Sequence, residues 1–213
     1  MTNMKTPIIW KRLIINNQRM VTTDEIYQLV RALNKNELRS LRYLQEHGYI
    51  YRILRGIFYV KNPEEREKKF FQKSIYEMVS DALDIKNVKE WYFALETALK
   101  LNNLTHEYFT INYVVTNSYR TTKVIDILDT KFHFLKWSKK HFEIGILNLN
   151  GLFVSDPQKT VLDLSYRRFL KDKTDPNILN YLNEYFDRLD KNKMRTYLKH
   201  YPSQFKEYME KHL

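Results

Sequence analysis

The stretch NKNELRSLRYLQEHG, residues 34–48, places Lys35, Asn36, Arg39, Arg42 and Tyr43 within a few residues of one another. The chemistry these side chains offer is recognition of nucleic acid. An arginine presents two donors that match guanine O6 and N7, an asparagine can similarly engage adenine, and a lysine at a helix start meets phosphate. At about 100° per residue, Leu38, Leu41, Leu44 and Gln45 fall on one side of a helix. Lys35, Asn36, Arg39, Arg42, Tyr43 and Glu46 fall on the other. The leucines are expected to seat the helix and leave a basic, hydrogen-bonding face for a major groove. Plain solvation also yields a charged face, and Glu46 counts against deep insertion at its end of the helix. The next basic pair lies in RILRGIFYV, residues 52–60. Two β-prone runs there are joined at Arg55-Gly56, a hairpin in which Gly56 takes the positive φ of a tight turn. Arg52 and Arg55, near its tip, suit phosphate contacts or a minor groove.

Other residues bear on other chemistry. Asp126, Asp129, Lys131 and Glu143 fall among predicted strands, where carboxylates can hold magnesium for a nuclease reaction. They lack the compact acidic pair followed by a spaced Glu-x-Lys. The six histidines, His47, His106, His133, His141, His200 and His212, have no partner three or four residues away, so no local metal pair exists. Ser155-Asp156 precedes a helix, where capping accounts for both residues without a nucleophile. Four glycines in the whole chain leave no phosphate loop of Walker or nucleotidyltransferase type. No cysteine occurs, which removes thiolate chemistry and fits a reducing cytosol. The expectation is a chain with no catalytic residue, no cofactor and no metal.

The elements that must position the basic residues are legible in their caps. A first helix is expected over Ile8–Asn16, after Pro7. Thr22 with Glu25 forms a capping box that opens a second helix carrying Ile26, Leu29, Val30 and Leu33. Asn34 with Glu37 repeats the signature for a third helix, which ends at Gly48. Helix, helix, short turn, helix and hairpin make a winged helix-turn-helix over residues 1–62. Asn62-Pro63-Glu64-Glu65 then starts a connecting helix over 63–84, amphipathic through Phe70, Phe71, Ile75, Met78, Val79 and Leu83. Residues 85–213 are expected to form an α+β domain. Its parts are a helix from Trp91 to Leu101 and about five strands between Tyr108 and Val154 in a mainly antiparallel sheet. Helices follow from Asp156-Pro157 through Leu170, from Asp175-Pro176 and from Asp190, with a break at Pro202. The tyrosines of these last helices (181, 185, 197, 201 and 208) are expected to pack inward first, with coverage of a partner as the alternative.

Charge points the same way. The formal net charge is +11, and residues 1–62 hold 11 Lys/Arg against 4 Asp/Glu, or +7, while the rest hold 25 against 21. Such an excess attracts polyanions independently of sequence, which makes double-stranded DNA the leading partner class. Sixteen tyrosines, twelve phenylalanines and 43% hydrophobic content exclude intrinsic disorder. No segment approaches the roughly 20 apolar residues of a membrane helix, and the N-terminus lacks a secretory pattern, so a cytoplasmic protein is expected.

Three segments, TTDEIYQLVRALNKNELRSLRYLQEHGYIYRILRGIFYV (22–60), WYFALETALKLNNL (91–104) and VSDPQKTVLDL (154–164), together resemble AbiEi-type antitoxins. These are transcriptional regulators of type IV, abortive-infection toxin–antitoxin systems. The resemblance covers most of the chain and is sharpest in the first 60 residues. It implies a winged helix that binds repeats in its own promoter, with Lys35, Arg39, Arg42, Arg52, Arg55 and Gly56 facing DNA. It also implies a C-terminal domain that takes part in repression and counteracts a nucleotidyltransferase toxin encoded alongside. In that family the toxin is generally opposed without a stable complex, so direct contact with it is not assumed. Self-association on DNA is left open. A winged-helix regulator with a ligand-sensing second domain, or a metal-dependent nuclease, are the alternatives.

Overall fold

The computed structural model describes residues 7–213. The chain divides into two compact units, one running to Asn87 with Ile127–Asp129 added, the other comprising Val88–Asp126 and Thr130–Leu213. Both mix helices with a β-sheet, an α+β architecture.

The first unit opens with helix α1 (Ile8–Ile15), strand β1 (Met20–Thr22) and helix α2 (Thr23–Arg31). Thr22 and Glu25 form the expected capping box on α2. Helix α3 (Glu37–Glu46) follows, then strands β2 (Ile50–Leu54) and β3 (Ile57–Val60). The sheet order is β1-β3-β2 and all pairings are antiparallel. Ile9, Trp10 and Leu13 of α1, Ile26 and Val30 of α2, Leu44 of α3, and Val21, Ile50 and Phe58 of the sheet close one core. Trp10 Nε1 donates to the Lys61 carbonyl at 2.7 Å, tying α1 to the end of β3.

Residues 63–84 differ from expectation. In place of one connecting helix there are two, α4 (Pro63–Glu67) and α5 (Ile75–Ile85), and both belong to the first unit. The helix stops because Lys69 turns left-handed at φ 55° and because Ser74 and Glu77 offer a fresh capping box. Glu65, fully buried, fixes the break. Its carboxylate accepts from the Gln72 backbone N–H (2.7 Å), the Asn62 N–H (2.8 Å), the Tyr59 hydroxyl and Arg19 Nη2 (2.8 Å). Burial works to raise this carboxyl group, but the donors around it hold it below the usual carboxylate range.

The second unit holds a six-stranded sheet of order β6-β7-β5-β4-β9-β8, formed by β4 (Trp91–Ala94), β5 (Ile111–Thr116), β6 (Ile125–Ile127), β7 (Thr130–Lys136), β8 (Ile146–Leu149) and β9 (Leu152–Ser155). The sheet is mixed, not mainly antiparallel: β5 runs parallel to β7 and β4 parallel to β9, while β4–β5 and β8–β9 are antiparallel. The expected helix from Trp91 is a strand over its first four residues, and helix α6 begins at Leu95 (Leu95–Leu101). All four residues of Trp91–Ala94 are buried, as a central strand demands, and a short apolar run does not distinguish strand from helix by period.

Helix α7 (Pro157–Lys171) is capped by Asp156, which accepts from the Lys159 N–H at 2.8 Å. It packs with α6 and with α8 (Asn180–Tyr185), α9 (Lys191–Tyr197) and α10 (Ser203–Glu210) around Tyr92, Leu95, Leu99, Tyr113 and Val115. Helix α8 starts five residues beyond Asp175, whose side chain instead accepts from the Asn177 N–H in a turn. Tyr185 and Tyr201 are buried, and Tyr181, Tyr197 and Tyr208 are half-buried against the same core. Among the described residues no helix is long and apolar enough to cross a membrane.

Candidate nucleic-acid interface

Helix α3 is positioned by its two ends. Asn36 caps it, its side-chain oxygen accepting from the Arg39 N–H at 2.9 Å. The cap expected at Asn34 is displaced, because Asn34 adopts φ 52° to leave α2 and cannot also serve in the extended conformation of an N-cap. At the other end Gly48 takes φ 65°.

Between these ends Leu44 is fully buried and Ser40, Leu41 and Tyr43 are half-buried, so this side seats the helix. Leu38, expected among the seating residues, is 71% exposed. The exposed arc therefore carries Lys35, Leu38, Arg39, Arg42 and Glu46. Among the described residues the side chains of Lys35, Arg39 and Arg42 meet no acid and no hydrogen-bond partner. Glu37 is drawn away from this arc by an ion pair with Arg31. Asn36, as a cap, has its carboxamide oxygen engaged, so the paired contact to adenine expected of it has its acceptor occupied. Tyr43 stacks on His47 with ring centroids 4.0 Å apart and lies 6.3 Å from the ring of Tyr49, at the border of core and arc. A groove of about 460 Å³ runs beside the arc, floored by Pro7, Ile9 and Leu44 and edged by Lys35 and Arg39.

The hairpin supplies the remaining cations. Gly56 has φ 79°, Arg52 and Arg55 are exposed, and the Arg52 guanidinium lies 5.8 Å from the centre of the Phe58 ring. The Gly56 carbonyl accepts from the Thr23 N–H at 2.9 Å, which anchors the tip to the first residue of α2. The tip thus sits at the start of α2, and the turn into α3 lies at its end. A nine-residue helix spans about 14 Å, comparable to a major groove about 12 Å wide.

The residues considered for a nuclease do not assemble. Asp126 and Lys131 lie on β6 and β7, Asp129 lies in the turn between them, and Glu143 follows a short 3-10 helix outside the sheet and faces His200 at 3.3 Å. Among the described residues no three His, Asp or Glu side chains come together to hold a metal ion.

The second unit also holds a polar centre that no motif in the sequence marks. Lys159 and Asp163 are both fully buried on α7, 3.4 Å apart, and Asp163 also accepts from the hydroxyls of Tyr92 (2.9 Å) and Tyr201 (2.5 Å). Burial pushes the lysine down and the aspartate up despite their mutual attraction. Beside them His141 is 3% exposed, its Nδ1 without a hydrogen-bond partner among the described residues, and its pKa is lowered to about 3 by burial and by Lys159. The signal in the sequence is a Lys and an Asp four residues apart on one helix, either side of Val161-Leu162.

No family model matches this chain, and no curated protein matches it. Among solved structures the chain is similar to the Rv2827c protein from Mycobacterium tuberculosis, with a TM-score of 0.59 and 11% sequence identity over 94% of this chain and 74% of that one. The likeness is one of fold.

Proposed function

We propose that this chain is a DNA-binding transcriptional regulator in which α1–α3 and the β2–β3 hairpin act as a winged helix-turn-helix. The observation that carries the proposal is the exposed arc of α3 and the turn before it, where among the described residues Lys35, Arg39 and Arg42 make no ion pair and Glu46 is the one exposed acid. Cations left unpaired on a rigid helix suit a polyanion, and their arginines suit guanine edges in a major groove. The α2 anchor gives the hairpin arginines a fixed offset from that helix, suited to phosphates. On the resemblance of segments 22–60, 91–104 and 154–164, the regulator is an AbiEi-type antitoxin. It represses its own operon and counteracts a nucleotidyltransferase toxin, without itself being an enzyme.

Footprinting on the DNA upstream of its own reading frame tests the first part. The wild type is expected to protect a discrete site, and Arg39→Ala with Arg42→Ala to lose it, at about 1–3 kcal/mol per base contact. Unchanged protection by the double variant rejects the assigned face. The antitoxin part requires an adjacent nucleotidyltransferase frame whose toxicity is relieved by co-expression of this chain.

A further inference from the structure

Leu38 is the one large apolar side chain on the cationic arc of α3, and at 71% exposed it contributes almost nothing to the core. At about 100° per residue it lies roughly 40° from Arg42, but about 120° from the buried Leu44. It is also four residues before Arg42, hence its neighbour on the helix surface. As the second residue of α3 it stands at the end of a recognition helix that approaches base edges. On a solvated face leucine adds only helix propensity, which Arg, Lys and Gln nearly match, and phosphate contact has no use for it. The edge of one base does: thymine presents a C5-methyl group in the major groove, read by apolar contact.

We propose that Leu38 reads a thymine methyl group, so that the α3 face specifies a thymine beside the guanines addressed by Arg39 and Arg42. The inference rests on the DNA-binding reading above. Charge complementarity commits the face to duplex DNA, since the cations around Leu38 repel a second copy of the same arc.

The test uses the full chain. Duplexes enriched by the wild type from a randomised pool give the preferred site, and each thymine in it is then replaced by deoxyuridine, which keeps the pairing and lacks the methyl. One such replacement is expected to weaken wild-type binding about fourfold, the equivalent of one buried methyl group. Leu38→Ala is expected to bind the thymine and deoxyuridine duplexes equally, with an unfolding midpoint and elution volume like those of the wild type. The inference alone is overturned if the wild type ignores every replacement, or if Leu38→Ala still distinguishes the two duplexes. It is equally overturned if Leu38→Ala changes the oligomeric state, which makes the residue an interface between copies. A pool in which nothing is enriched, or binding indifferent to Arg39→Ala with Arg42→Ala, overturns the DNA-binding reading and the inference with it.

Discussion

His141 gives the second unit a loss of stability that begins above the ordinary carboxylate range. His141 packs against Trp137, Tyr166 and Tyr201, with ring centroids 4.8–5.3 Å away. Burial and the nearby positive groups Lys159 and His200 lower its pKa from 6.5 to about 3, so the folded chain keeps it neutral where the unfolded chain protonates it. Between those two values the unfolded state binds the extra proton, and stability therefore falls as pH falls. The limiting slope for one such group is about 1.4 kcal/mol per pH unit. His133, lowered in the same direction by partial burial, adds a smaller contribution. Carboxylates such as Glu65, whose pKa is depressed, contribute only below their ordinary range. Urea unfolding of His141→Phe is expected to show a shallower loss of stability from pH 6.5 to 4.5 than the wild type, since phenylalanine fills the aromatic cage and takes no proton. Parallel pH profiles for the two proteins contradict this account of His141.

At the scale of elements, the hairpin depends on the conformation of Gly56. Its φ of 79° is costly for any residue with a Cβ, although an added Cβ meets only Thr23 Oγ1, at 3.6 Å. Conformation, not crowding, therefore sets the order expected for substitutions. Gly56→Asn should be the mildest, Gly56→Ala intermediate, and Gly56→Val the worst at about 1–2 kcal/mol or more, measured by urea unfolding. Equal stability across the series contradicts a required left-handed turn. This element was readable because one glycine between two β-prone runs has one economical explanation. The capping boxes were readable for the same reason, since Thr22 with Glu25 satisfies backbone groups locally. Elements decided by tertiary contacts were less so. WYFA becomes a strand because both of its faces are buried, and Lys68–Ser74 breaks a continuous amphipathic pattern because Glu65 captures the Gln72 N–H. A stripe counted from Leu38 places that residue inside, where the structure leaves it exposed. Counting from Leu44 puts Leu41 and Glu37 on the inner side and Leu38 at its margin, beside Arg42.

Over the whole molecule, charge is segregated by sequence: residues 1–62 carry +7 of the net +11. Five of its cations, together with Leu38, make three sets of groups with different expected uses. Lys35 and the hairpin arginines are suited to phosphates, Arg39 and Arg42 to base edges, and Leu38 to an uncharged contact. Salt separates them, because each phosphate neutralised releases counterions and adds about 0.9 to the magnitude of the slope of log K against log salt. Removing both Arg52 and Arg55 is expected to flatten that slope by about 2 and to weaken specific and random duplexes alike. Leu38→Ala should leave the slope unchanged and weaken only the preferred site. Arg39→Ala and Arg42→Ala should weaken the preferred site more than random DNA, since a lost base contact costs only where that base is present. A hairpin variant with the wild-type slope would place Arg52 and Arg55 away from the duplex and leave α3 alone to hold it.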